Sequence, residues 1–222
     1  VFNFKLFKPL APLSALMAVA FLISGLVVLV LDLGRPDRLI VAMTTYNFKS
    51  IFAWNIFLYS GFAAILVVYL WFMLDRTVSN YSKPVGVFAF LWRIILTTGT
   101  GSIFGFLIAR DAYGTAILAP LFIIMSLLYG TVIYFLLLKI INYFQDTLMT
   151  DEVKDNLRKI TIFFLFANLY FLALYHITNL YISKHYDYEV FILTAGGIYT
   201  IIFWIGQVLI GLLLPLYLLL NK

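Results

Sequence analysis

Six apolar runs, each at least as long as a bilayer is thick, decide what this chain can become. They cover residues 10–31, 52–74, 85–109, 117–139, 159–182 and 190–220. A hydrocarbon core needs roughly 20 apolar residues of helix to cross it. Backbone amides there find no water, and a helix satisfies them within one segment. A membrane barrel would instead alternate polar and apolar residues in segments of about ten. These runs do not alternate. The expected fold is all-α, a polytopic transmembrane bundle forming one domain over residues 1–222. The last run exceeds one bilayer thickness, so it is expected either to tilt or to bend near Gly196-Gly197 or Pro215.

Composition removes several chemistries. The chain is 64% hydrophobic and 11% charged, against about 25% charged in soluble domains. It has no cysteine, which excludes disulfides, thiolate metal sites, iron–sulfur ligation and cysteine nucleophiles within it. His176 lies in the fifth run and His185 in "SKHYDYE", read as a loop. That pair does not suit a transmembrane haem, which commonly takes two axial histidines from facing spans. No haem or metal is expected in this chain. No phosphate-binding glycine loop or Ser-His-Asp arrangement is present. A net charge of +5 reads as loop bias beside membrane lipids, with no nucleic-acid partner.

The loops alternate between two sides. Nine Lys and Arg residues fall on one side and five on the other, with Arg93 inside a span. The richer side is expected to be cytoplasmic. That places the 31–50 loop on the extracytoplasmic side. On the cytoplasmic side, "QDTLMTDEVKDNLRK" (145–159) reads as a connector holding a short surface helix. Thr150 is its N-cap, with acids in the first turn and bases at the far end.

Charge at the membrane edge is costly, and each instance is a candidate site. "LDLGRPDR" (31–38) ends the first run with Asp32, Arg35, Asp37 and Arg38 around a Gly-Arg-Pro turn. Asp32 is read two ways: as a pocket-rim carboxylate paired with Arg35 or Arg38, or as a helix-end ion pair pinning the loop. "TTGTGS" (97–102) suits close helix packing, or a backbone surface against a flat ring. His176 and Asn179 are three apart and share a helix face. With nearby tyrosines they could donate to the carbonyls of a quinone, or only to neighbouring helices.

These residues carry a resemblance. "LDLGRPDR" followed by "NFKSIFAWNIFLYSGF" is similar to the NrfD/PsrC-like family of integral membrane subunits. The nearest branches are those of the sulfite-reduction-associated complex, hydrogenase-2 and alternative complex III. Asn47, Ser50 and Trp54 fit the family pattern, and Asn55 stands where an acid is usual. "ARDAYGTAILAPLFIIMSLLYG" (109–130) agrees through Arg110, Thr115, Pro120, Phe122, Ser126 and Gly130, with Tyr113 at an aromatic position. "FWIGQVLIGLLLPLYLLL" resembles a late family span.

The resemblance implies a subunit without its own redox cofactor. It would bind quinone or menaquinone and exchange electrons with an iron–sulfur partner subunit, while a further subunit does the terminal catalysis. In that reading Asp32 accepts quinol protons and Arg35 orients the turn. Asn47, Ser50 and Asn55 line the quinone pocket, with Tyr113 and His176 opposite. Arg38 and Arg110 dock the partner. Several ionisable family positions are neutral here: none of the residues near Gly99–Thr100 is His, and Asn179 replaces an acid. A complete proton relay is therefore not expected. Family members have more spans, so flanking helices are expected beyond these six. Two other classes are kept: a small-solute or ion transporter, and a structural anchor with a degenerate quinone site.

Overall fold

A computed structural model describes residues 10–32, 39–45, 47–75, 77–107, 109–144 and 150–221. Among them the regular structure is helical throughout, and six helices are long and apolar enough to cross a membrane. The chain divides into two compact units, Val1–Gly99 and Thr100–Lys222.

The first unit holds α1 (Ala11–Asp32), the short α2 (Leu39–Thr44), α3 (Ile51–Leu74) and most of α4 (Ser82–Gly105). Its core is Leu22 from α1, Phe62 and Leu66 from α3, and Leu96 from α4. Glycine sets the approach of α3 to α4. A Cβ on Gly61 would lie 2.5 Å from the Trp92 ring, and that indole donates to the Leu58 carbonyl at 2.9 Å. A Cβ on Gly99 would meet the Asn55 Oδ1 at 3.1 Å and Leu58 at 3.2 Å. Small residues let membrane helices approach until backbones nearly touch. The packing reading of "TTGTGS" is the one this unit displays. Arg93 lies in α4 with its guanidinium 5.5 Å from the centre of the Phe62 ring, a cation–π seat within an apolar span.

The second unit holds α5 (Leu118–Phe144), α6 (Asp151–Tyr181), α7 (Ser183–Val190) and a broken final helix. Its core is Leu128, Leu165, Leu172 and Leu212. Thr150 caps α6, its hydroxyl oxygen accepting from the Val153 amide. The expected N-cap is therefore present, worth about 1 kcal/mol. The expected separate surface helix is not: residues 151–159 are the first turns of α6, which runs unbroken to Tyr181. Lys154–Asp151, Arg158–Asp155 and Lys159–Asp155 pairs one turn apart carry the helix out of the apolar region.

"SKHYDYE" also differs from its reading as a loop. It forms α7 after a break at Ile182. His185 and Glu189 are four apart, so they share one face, and both are buried. Of the alternatives for the last run, a break at Gly196-Gly197 is the one found. Gly197 has φ of +57° and ψ of −112°, a conformation available to glycine. Phe191–Ala195 before it and Ile202–Leu213 after it wind as π-helix, and Leu214–Leu220 returns to α-helix with Pro215 in its first turn.

Most large apolar side chains point outward, as lipid-facing helices require. Trp71, Tyr81, Tyr143, Tyr181 and Tyr217 are exposed near helix ends, where interfacial aromatics are found.

Gly101 gives a direct test of helix approach in the second unit. A Cβ there would lie 2.7 Å from the Ala119 Cα, and backbone cannot step aside cheaply. Gly101→Val is expected to lower stability by about 1–3 kcal/mol. Gly130 has open space around the Cβ position, and Gly130→Ala should stabilise by up to about 1 kcal/mol. Thermal unfolding of both variants in detergent checks the contrast.

Candidate functional site

A carboxylate buried in the second unit is the centre of the arrangement. Glu189 is 0% exposed. An isolated buried charge is very costly, so its oxygens must be held. The His176 Nδ1 bonds Oε1. Asn179 Nδ2 donates to Oε2 at 3.2 Å. Both partners come from one face of α6, and α7 brings Glu189 to them because the chain reverses at Ile182.

The surroundings are aromatic. The Phe203 ring stands edge-on to His176 with centres 4.7 Å apart, and Tyr175 flanks the same imidazole at 5.2 Å. The Tyr175 hydroxyl donates to the Ala112 carbonyl. His185 Nδ1 donates to the Asp111 carbonyl at 2.6 Å. These two bonds tie the 109–117 loop to α6 and α7. The loop turns at Gly114, where φ is +93° and a Cβ would come within 3.6 Å of the His185 ring. Tyr113 on that loop packs 5.2 Å from Phe104. Burial first, then the neighbouring Tyr113 and Glu189, push the Tyr188 hydroxyl above the usual tyrosine range. It therefore stays protonated across physiological pH.

Two polar atoms in this cluster are buried without a hydrogen-bond partner: His176 Nε2 and Asn179 Oδ1. Leaving such an atom unpaired costs about 1–3 kcal/mol, so each calls for an explanation.

The expected site residues divide between the units. Asp32 closes α1, and Arg35 and Arg38 lie outside the described residues. Asn47 takes part in a local turn, its Oδ1 accepting from the Lys49 amide at 3.2 Å and its carbonyl from the Ser50 amide at 2.8 Å. Ser50 is the N-cap position of α3 without a side-chain cap bond. The adjacent Trp54 donates its indole N–H to the Phe48 carbonyl at 2.9 Å. Asn55 is buried against Gly99, and its Oδ1 has no partner. In the second unit Tyr113 and His176 belong to the cluster around Glu189, and Arg110 is exposed on the loop. Sequence reasoning misses Glu189 and His185 as members of the site. Their i, i+4 spacing is the available signal, but only if "SKHYDYE" is taken as helix. Among the described residues no group of three or more His, Asp or Glu side chains is arranged to hold a metal.

Long apolar helices with a held, buried carboxylate among them define a polytopic membrane protein with a polar site. The model of the family Polysulphide reductase, NrfD matches residues 1–222, and the chain belongs to that family. It is similar to an Hdr-like menaquinol oxidoreductase integral membrane subunit of Archaeoglobus fulgidus, 29% identical over all of this chain and 56% of that protein. It is also similar to a selenate reductase subunit of Mesobacillus selenatarsenatis, 23% identical over 98% of this chain and 60% of that protein. The chain thus spans a little over half the length of these relatives. No solved structure matches it.

The loop anchor is testable. Gly114→Ala places a Cβ in the left-handed region, which costs about 1–2 kcal/mol. Thermal unfolding should shift down accordingly, and limited proteolysis should cut the 109–117 loop faster than in wild type.

Proposed function

We propose that this chain is the quinone-facing membrane part of a respiratory oxidoreductase. It binds a menaquinol-type ring and exchanges electrons with an iron–sulfur partner subunit, while a further subunit performs the terminal reaction. Membership of the NrfD family over the whole chain carries the reading. It is supported by a relative named as a menaquinol oxidoreductase integral membrane subunit.

The residues present suit such a ring. Its faces need flat apolar walls, and Phe203, Tyr175 and Tyr113 are at hand. Its oxygens need hydrogen-bond partners inside an apolar region, and His176 Nε2 and Asn179 Oδ1 are buried atoms in want of one. Asp32 is proposed as a proton acceptor with Arg35 as its orienting partner. Asn47, Ser50 and Asn55 are proposed as further pocket residues. Arg38 and Arg110 are proposed to meet the partner protein. The broken helix of a transporter would lie at mid-membrane. Here the Gly196-Gly197 break precedes the apolar span Ile198–Leu220, so the transporter reading gains nothing from it.

The test uses the native complex. Purified with its partners, it should retain menaquinone in its lipid extract and oxidise or reduce a menaquinone analogue. Absence of both quinone and any redox partner sinks the reading. Asp32→Asn should lower quinone-linked turnover by about tenfold or more, and unchanged turnover would remove Asp32 from that role.

Orientation is proposed from the Lys and Arg distribution, with the 31–50 loop extracytoplasmic. The chain has no cysteine, so single replacements report cleanly. An impermeant maleimide added to intact cells should label Asp187→Cys and leave Asp151→Cys unlabelled. The opposite pattern inverts the topology.

A further inference from the structure

The unpaired atoms beside Glu189 are of one chemical kind. Asn179 must turn its amide nitrogen to the Glu189 carboxylate, since a carboxylate oxygen accepts. That leaves Asn179 Oδ1 as a bare acceptor. The same logic sets the imidazole. With Nδ1–H donating to the carboxylate, Nε2 holds a lone pair and is a second bare acceptor. His176 and Asn179 are one turn apart on the same face of α6. A ligand that satisfies them must donate.

We propose that His176 and Glu189 form a proton-accepting pair that receives a ring hydroxyl of the reduced, hydroquinone form of the substrate, with Asn179 positioning the carboxylate and accepting from the same ligand class. This rests on the quinone reading above. In the proton step the ligand O–H bond breaks and an N–H bond forms at His176 Nε2. The Nδ1–H bond breaks and an O–H bond forms at Glu189 Oε1. The ligand oxygen keeps the electron pair, the imidazole ends neutral, and the charge moves from the carboxylate to the ligand. No oxidant enters this step. A hydroquinone yields two protons, so a proton taken here does not exclude the role proposed for Asp32. Within this pair Glu189 acts through His176 and is a positioning residue, while His176 is the group that touches the ligand.

The pair has few competitors for the proton. The titratable groups facing it are Tyr175 from α6, Tyr188 and His185 from α7 and Tyr113 from the 109–117 loop. Tyr175 and His185 are already donating to backbone carbonyls. Lys184, Tyr186 and Asp187 lie on the exposed side of α7. The Phe203 ring from the final helix is against the imidazole and offers no proton.

The experiment uses the whole complex in nanodiscs, with menadiol and its oxidised form menadione as probes. Wild type should bind menadiol more tightly than menadione. On menadiol binding, the infrared difference spectrum should show a protonated-carboxyl band that Glu189→Gln lacks. Glu189→Gln should lower kcat by about tenfold or more with KM nearly unchanged, and flatten the acid limb of the pH–rate profile. Glu189→Asp should restore part of both. If the glutamine variant does not assemble, the wild-type infrared band and the two affinities still decide. Wild type that binds and turns over menadiol without the band, or with equal affinity for both forms, overturns the proton pair alone. A glutamine variant with wild-type kcat and pH profile does the same. Wild type that neither binds nor turns over either probe overturns the quinone reading and this inference together.

Discussion

A backbone carbonyl in hydrocarbon has no water to turn to, and the rest of this structure depends on how each one is answered. Within the long helices the answer is internal. Where the chain leaves a helix, a side chain supplies it. Tyr175 and His185 donate to the carbonyls of Ala112 and Asp111 in the 109–117 loop. Thr200 accepts from the Gly196 amide and donates to the Phe191 carbonyl across the break at Gly196-Gly197, and Trp204 donates to the Leu193 carbonyl. Trp54 does the same for Phe48 at the start of α3. Each of these irregular segments is therefore pinned by a residue whose polar end is spoken for. The groups left unpaired beside Glu189 are not answered in this way.

Glycine governs the complementary problem of distance. With lipid on the outside, helices gain little from hiding apolar surface from one another and depend on close contact. Gly61 and Gly99 admit Trp92, Asn55 and Leu58 in the first unit, and Gly101 admits the backbone of Ala119 in the second. The "TTGTGS" stretch thus belongs to the architecture. The same close approach buries Asn55, a residue proposed above for the pocket.

Much of the fold was legible because hydrocarbon enforces simple rules. Run length fixes the number of spans, a Thr before two acids marks a helix start, and paired glycines mark one place where the last run can bend. The misreadings come from polar segments, where no such rule acts. Residues 151–159 are charged, yet they continue α6, because one-turn ion pairs and a Thr150 cap stabilise helix outside the apolar region. "SKHYDYE" is charged too, yet α7 forms there because one face of it is needed inside. Among the expected site residues, His176 and Tyr113 fell within the cluster. The missing piece was the carboxylate: several ionisable family positions are neutral, and the acid present stands elsewhere.

The sequence by itself determined that this chain is a helical membrane protein, which segments cross, and where the last one could bend. These follow from local quantities: apolar length, caps and glycine. Only the tertiary structure decided that Glu189 meets His176, although the two are 13 positions apart. Neither residue announces the other by spacing along one helix. The meeting needs a reversal at Ile182 that folds α7 back on the end of α6, and a buried carboxylate that then finds its donors there. A contact made across a chain reversal depends on where two elements point, and that is settled by packing rather than by pattern.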